Sequence, residues 1–219
     1  SLYSVRRPLS SVRCLKENHN MNQLPPSRSI DDAVFTFLDV ETTGLSPRTS
    51  RICEVALIGF QGASRVSQFS SLVNPGLPIP PETNRIHGIK DEMVRNSPAF
   101  PVLAPRLLAL LEGTVVVAHN AEFDLSFVQM EFSRVGLKLP KLDVIDTVHI
   151  ARHLGGFSNN RLGTIAKELD ISSENWHRAL SDVEMTRKIF EHFMVLFKKE
   201  GALTVADVLK RIPNVKYQR

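Results

Sequence analysis

The segment Val34-Phe35-Thr36-Phe37-Leu38-Asp39-Val40-Glu41 restricts the fold more than any other stretch of the chain. Its apolar, β-forming residues read as a strand buried on both faces, which requires a sheet with other elements packed on each side. The next residues, Thr42-Thr43-Gly44, read as a turn. Residues two apart in a strand project from the same face, so Asp39 and Glu41 are delivered side by side. They lie at the carboxyl end of the strand, where open α/β sheets hold their ligands. Adjacent anions repel unless a cation or a proton intervenes. The alternative is that the strand has ended before them and both acids are solvated.

The rest of the pattern fits a layered fold. Arg51–Phe60 and Val66–Val73 read as two further strands, with Gln61-Gly62-Ala63-Ser64 as the hairpin between them. Asn74–Pro81 is a proline-rich loop, and Ser97-Pro98 is expected to start a helix that runs to about Leu111 and stops at Gly113. Thr114–Ala118 is a short strand, Glu122–Val135 a helix ended by Gly136, and Asp143–Asp146 a brief strand leading into a helix to about Leu154. Helices follow at Arg161–Leu169 and Arg178–Phe197, the latter with Val183, Ile189, Phe190, Phe193 and Phe197 at near-helical spacing. A strand meander followed by alternating strands and helices predicts an α/β fold: a mixed central sheet flanked by helices.

Composition sets the outer limits. The chain has 219 residues, 42% of them apolar, enough for one sizeable core and too many for a wholly disordered chain. No apolar run approaches the ~18 residues of a bilayer span, so no membrane-spanning helix is expected. Cys14 and Cys53 cannot make a disulfide framework or an all-cysteine zinc site. Residues 1–33 lack apolar periodicity and read as a flexible N-terminal arm; residues 1–16 contain no acid, as in organelle transit peptides. Residues 34–197 form the expected domain, and residues 198–219 a basic C-terminal tail with a short helix at Thr204–Ile212, Thr204 as its N-cap. Net charge is +4, with +2 in residues 1–33, +4 in 196–219 and −2 between them. A polyanion partner is therefore indicated by the ends and not by the middle.

Two more segments deliver acids the same way. Val115-Val116-Val117-Ala118 runs into His119-Asn120-Ala121-Glu122-Phe123-Asp124, placing Asp124 in the first turn of a helix. In His177-Arg178-Ala179-Leu180-Ser181-Asp182, Asp182 lies near the start of the last long helix and His177 just before it. An acid near a helix start is ordinary on its own, because the helix dipole favours it. Together, Asp39, Glu41, Asp124 and Asp182 offer an all-oxygen ligand set suited to Mg²⁺ or Mn²⁺ rather than Zn²⁺. Two such ions can clamp the attacking and leaving oxygens of a phosphodiester displacement. A histidine with an ordinary pKa near ~6.5 can take the proton of the attacking water.

The segments Asp39-Val40-Glu41-Thr42-Thr43-Gly44, His119-Asn120-Ala121-Glu122-Phe123-Asp124 and His177-Arg178-Ala179-Leu180-Ser181-Asp182 resemble the three exonuclease motifs of the DEDDh 3′–5′ exonucleases. That family includes the proofreading epsilon subunit of bacterial DNA polymerase III, RNase T and oligoribonuclease. Ile86-His87-Gly88-Ile89 with Glu92-Met93-Val94, and Asp146-Thr147 leading into Ala151-Arg152, are similar to the epsilon-like branch. The resemblance spans Phe35 to Phe197. It implies an RNase H-like exonuclease fold with Asp39, Glu41, Asp124 and Asp182 as ligands of two divalent cations, Mg²⁺ or Mn²⁺, and His177 as general base. Thr42, Thr43 and Leu45 are expected to meet the terminal nucleotide; Ile86, His87 and Phe123 resemble positions that pack around its base or sugar. Glu54 and Asp146 are expected to form structural hydrogen bonds.

The implied reaction is hydrolysis of a single-stranded 3′ end, DNA favoured, to nucleoside 5′-monophosphates. An exoribonuclease or oligoribonuclease of the same fold is the near alternative, and a non-catalytic nucleic-acid or polymerase-binding platform the distant one. The expected partners are single-stranded DNA or RNA 3′ ends and a DNA polymerase or repair assembly, in the cytoplasm and without a membrane. Two bound divalent cations would bring the middle of the chain from −2 to about +2.

Overall fold

Alternation along the first strand organises the molecule. The computed structural model describes residues 28–171 and 178–217. Strand β1 (Val34–Thr42) pairs with antiparallel β2 (Ile52–Gln61), which pairs with antiparallel β3 (Ser64–Leu72). On the other side of β1, β4 (Val115–Ala118) and then β5 (Asp143–Asp146) are parallel to it. The sheet order is therefore β3-β2-β1-β4-β5, the mixed sheet expected from the pattern. Gly62 takes the left-handed conformation (φ 54°) at the hairpin between β2 and β3, where a side chain would be strained.

Helices cover both faces. Phe35, Phe37, Ala56, Ile58 and Val117 pack beneath α5 (Thr147–Leu154), α6 (Leu162–Glu168) and α7 (Ala179–Lys199). Leu38, Val40, Val55, Leu57 and Val116 pack against α3 (Phe100–Leu111) and α4 (Ala121–Arg134). On α7, Val183, Ile189, Phe190, Phe193 and Phe197 are all buried, as their spacing predicts. Phe190 seats its ring against Phe35 and Phe37, at centroid distances of 4.9 and 5.5 Å. This contact draws α7 across the face of β1 from which the odd-numbered side chains project. Asp39 and Glu41 consequently emerge toward the start of α7, and Val40 toward α4.

One expectation is corrected. The helix expected to start at Ser97-Pro98 begins at Phe100. The Pro98 carbonyl accepts from the Asn74 amide at 3.0 Å, and Asn74 bridges Ala99, so this stretch stays extended. Two short helices, α1 (Pro81–His87) and α2 (Asp91–Val94), also form between β3 and α3.

The core draws residues from beyond both ends of the expected domain: Ile30, Ala33, Ala202, Val205, Val208 and Ile212 belong to the cluster beneath α7. Ser29 bridges Thr204, and the Ile30 amide donates to the Leu203 carbonyl at 3.0 Å. Helix α8 (Val205–Leu209) carries a capping box, with Thr204 as the expected N-cap and Asp207 completing it. Tyr217 is buried, and its hydroxyl accepts from the Leu142 amide at 3.1 Å. Apolar residues interspersed among the tail's charges thus anchor it to the fold. Residues 1–27 of the expected arm lie outside the described residues. Among the described residues, no helix is long and apolar enough to cross a membrane.

Candidate active site

The carboxyl end of β1 collects acids from three elements. Asp39 and Glu41 leave the same face of β1, and the first turn of α7 brings Asp182 to them. One carboxylate oxygen from each of the three lies within 4.8 Å of the others. Asp124, in the first turn of α4, approaches from the opposite face of the sheet. Its Oδ1 accepts from the Val40 amide at 3.1 Å, which ties α4 to β1 between the two acids. That hydrogen bond accounts for Asp124 standing beside the three-oxygen cluster while its charge still acts on Asp39.

Electrostatics follow from this crowding. Burial pushes the Asp39 carboxyl well above the usual carboxylate range, and repulsion from Asp124, Glu41 and Asp182 adds to it. Burial raises Glu41 to about 8, with Asp182 and Glu54 adding to the rise and Arg178 opposing it. Asp124 is also raised by burial, against the lowering effect of the Val40 hydrogen bond. Such a cluster calls for compensating positive charge. The donor set of the cluster is oxygen throughout, and opposed oxygens on an octahedral Mg²⁺ at ~2.1 Å lie about 4.2 Å apart. Oxygens within 4.8 Å of one another therefore fit a shared hard divalent cation.

A second layer fixes the positions of these acids. Glu54 on β2 is buried and accepts from Arg178 Nη2 at 2.6 Å, Arg178 Nε at 3.0 Å and the Ala179 amide at 3.1 Å. It therefore holds the start of α7, three residues before Asp182. Asp146 accepts from the amides of Asn120 and Ala121, both at 3.0 Å, and from Val148 at 2.8 Å. Asn120 is held in the left-handed conformation at φ 69°, an uncommon state for a non-glycine residue, directly before α4. Both acids thus have the hydrogen-bonding roles expected of them.

The turn after β1 is built by its own threonines. Thr42 Oγ1 donates to the Gly44 carbonyl at 2.7 Å, and Thr43 Oγ1 accepts from the Arg51 amide at 3.0 Å; both side chains are buried. Leu45 is left 84% exposed at the apex. Glu131, on the buried face of α4, binds Arg51 at 2.6 and 2.8 Å and Arg134 at 3.0 Å, while Arg134 donates to the Pro47 carbonyl at 2.6 Å. This three-residue network fastens the turn to α4. Ile86 is exposed and Phe123 packs half-buried on Phe127 at a centroid distance of 5.0 Å. His87 is buried: its Nδ1 accepts from the Ile89 amide at 3.0 Å, and its Nε2 lies 3.9 Å from Cys53 Sγ. His177 lies outside the described residues.

Arg178, Arg51, Glu131 and Arg134 are not among the site residues expected from the sequence. Glu131 had left a signal, since it shares the buried stripe of α4 with Leu125, Val128 and Phe132. A carboxylate on such a stripe needs a partner. Arg178 had none beyond its place next to His177.

Residues 36–190 match the RNase_T model, described as exonuclease. This chain belongs to the exonuclease family. It is similar to the DNA polymerase III PolC-type of Thermotoga maritima, 31% identical over 198 residues that cover 90% of this chain and 14% of the relative. It is also similar to the 3′-5′ exonuclease DinG of Bacillus subtilis, 37% identical over 158 residues covering 71% of this chain and 17% of the relative. The chain thus spans less than a fifth of the length of either protein. Among solved structures, Exonuclease X in complex with 5′ overhanging duplex DNA superposes with a TM-score of 0.61 at 26% identity, covering 80% of this chain and 98% of that one. The fold is the RNase H-like exonuclease fold.

Proposed function

We propose that this chain is a metal-dependent 3′–5′ exonuclease that hydrolyses single-stranded nucleic acid, DNA favoured, to nucleoside 5′-monophosphates. The observation that carries the reading is the meeting of Asp39, Glu41 and Asp182 oxygens within 4.8 Å, with Asp124 adjoining them. Asp39, Glu41, Asp124 and Asp182 hold two divalent cations, Mg²⁺ or Mn²⁺. When bound, these supply positive charge to the attacking and leaving oxygens.

The chain's own residues do the rest. His177 takes a proton from the attacking water, which adds in line to the terminal phosphorus as the 3′ oxygen of the preceding nucleotide departs. Glu54 holds Arg178 and Ala179, the residues that follow His177 in the sequence. Leu45 and Ile86, both exposed, offer apolar surface to the terminal base, while Thr42 and Thr43 supply the backbone of the turn beneath it. Phe123, half-buried against Phe127, and His87, next to Ile86 in the sequence, complete the positions assigned to the terminal nucleotide's base or sugar.

DNA is favoured because the relatives named above are a DNA polymerase and a 3′-5′ exonuclease, and the Exonuclease X structure holds DNA. Work on strands handled by a polymerase or repair assembly, in the cytoplasm, belongs to the same proposal. Matched, end-labelled DNA and RNA oligomers incubated with Mg²⁺ or Mn²⁺ test it, with Asp39→Ala as the control for contaminating nuclease. Stepwise mononucleotide release from the 3′ end of DNA is expected. Cleavage confined to RNA would replace the DNA reading, and a protein that binds strands yet cleaves none would leave a binding platform.

A further inference from the structure

A cavity of about 870 Å³ opens beside Asp182, on the β4–β5 side of the acids. Its walls include Asn120, Arg152 on α5, and Asn160 and Arg161 just before α6. Both arginines are exposed, and among the described residues neither has an ion-pair partner. The other arginines near the site are already engaged: Arg178 holds Glu54, and Arg51 and Arg134 hold Glu131. His119 also lines the cavity, but its Nδ1 pairs with Thr147 Oγ1 at 2.8 Å and its Nε2 with the Asn160 carbonyl at 2.9 Å. Two guanidinium groups without an ion-pair partner among the described residues thus line a cavity that reaches Asp182.

Direction follows from the sheet. The Thr42–Leu45 turn pairs with the start of β2, through the Thr43 amide and the Arg51 carbonyl at 2.9 Å. It therefore lies on the β2 side of the acids and the cavity on the β4–β5 side. A strand whose last nucleotide rests at the turn and whose scissile phosphate lies over the acids continues into the cavity. The volume is near the top of the ~300–1,000 Å³ range of small-molecule sites, which gives room for more than one nucleotide.

We infer that this cavity holds the nucleotides on the 5′ side of the scissile bond, with Arg152 and Arg161 binding their phosphates. The inference rests on the exonuclease reading and narrows its substrate class: oligomers long enough to fill the cavity are preferred over dinucleotides.

The test compares the full chain with its Arg152→Gln/Arg161→Gln variant. In EDTA, binding of a fluorescent dT twelve-mer is followed by anisotropy across a salt series. Loss of two phosphate contacts is expected to make the slope of log K against log salt shallower by about 1.4, at ~0.7 per contact on a single strand. With Mg²⁺ or Mn²⁺, the ratio of kcat/KM for the twelve-mer to that for a dinucleotide is expected to fall about tenfold, and a double Arg→Lys variant to restore most of it. An unchanged slope with an unchanged ratio overturns the inference while leaving the exonuclease reading in place, provided the parent degrades the twelve-mer. A parent that releases no mononucleotide from either substrate overturns both.

Discussion

Replacing Arg178 by Ala tests how the start of α7 is held. Glu54, its partner, has a side chain only 4% exposed, whereas that of Arg178 is 41% exposed. After the substitution, Glu54 keeps a single donor, the Ala179 amide at 3.1 Å. Removing one partner of a buried ion pair costs about 3–5 kcal/mol because the remaining charge is left uncompensated. Water already reaches Arg178, so the lower end applies: about 3 kcal/mol, which for a chain of this size lowers Tm by roughly 6–12 °C. Urea and thermal unfolding measure that loss. The effect on chemistry is separable from it. At a temperature well below the variant's Tm, kcat is expected to fall by a factor of roughly 10–100, because the residue before Arg178 is the proposed base and small displacements are costly. Arg178→Lys keeps one charged donor and is expected to recover part of both losses. A double-mutant cycle with Glu54→Gln isolates the pair. An Arg178→Ala cost below about 1 kcal/mol, with no coupling to Glu54 and no change in kcat, would refute the reasoning.

Three further outcomes follow from the same geometry. Glu41 holds its proton up to about pH 8 in the metal-free fold, against 4.5 when exposed; the folded chain binds more protons in that window, so metal-free stability is highest below pH 4.5 as far as Glu41 is concerned and falls as pH rises toward 8. Thermal melts in EDTA at pH 6 and pH 8 should show the drop and Mg²⁺ should reverse it; a Tm that is the same at both values with and without Mg²⁺ contradicts the assignment. Glu131→Gln removes the shared anion of Arg51 and Arg134 and is expected to cost about 2–3 kcal/mol, with KM rising because the turn bearing Leu45 loosens; an unchanged urea midpoint argues against it. Deleting residues 198–219 strips Ala202, Val205, Val208, Ile212 and Tyr217 from the core. At ~1.5–3 kcal/mol for each large apolar side chain, that loss rivals a typical stability of ~5–15 kcal/mol, and a soluble truncated chain with a cooperative melt would show the tail to be dispensable.

Strand β1 and the acids at its end were legible because two local rules, strand alternation and apolar burial, act on consecutive residues. The stripe of α7 was legible for the same reason, and so was the Thr204 cap. What escaped was non-local. Ser97-Pro98 has good helix-start chemistry, but the Asn74 amide takes the Pro98 carbonyl from across the chain. The ends read as polar tails because Ile30, Val205, Val208 and Ile212 are diluted by charges, and the hydrogen bonds between residues 28–30 and 203–205 that align them are non-local. The ion pairs of Glu54 and Glu131 join residues 124 and 80 positions apart, beyond any periodicity. The net charge of −2 in the middle of the chain also hides a local feature: Arg152 and Arg161 line the cavity that reaches Asp182.

The central claim is that Asp39, Glu41, Asp124 and Asp182 act together on the last phosphodiester of a strand. The direct measurement is product analysis of matched 5′-labelled and 3′-labelled single strands, with Mg²⁺, Mn²⁺ or EDTA, for the parent and for Asp39→Ala. The expected result is a nucleoside 5′-monophosphate as the first product from the 3′ end, a ladder shortening one nucleotide at a time, and no reaction in EDTA or with Asp39→Ala. Release from the 5′ end, internal cleavage, or activity that survives Asp39→Ala would contradict it.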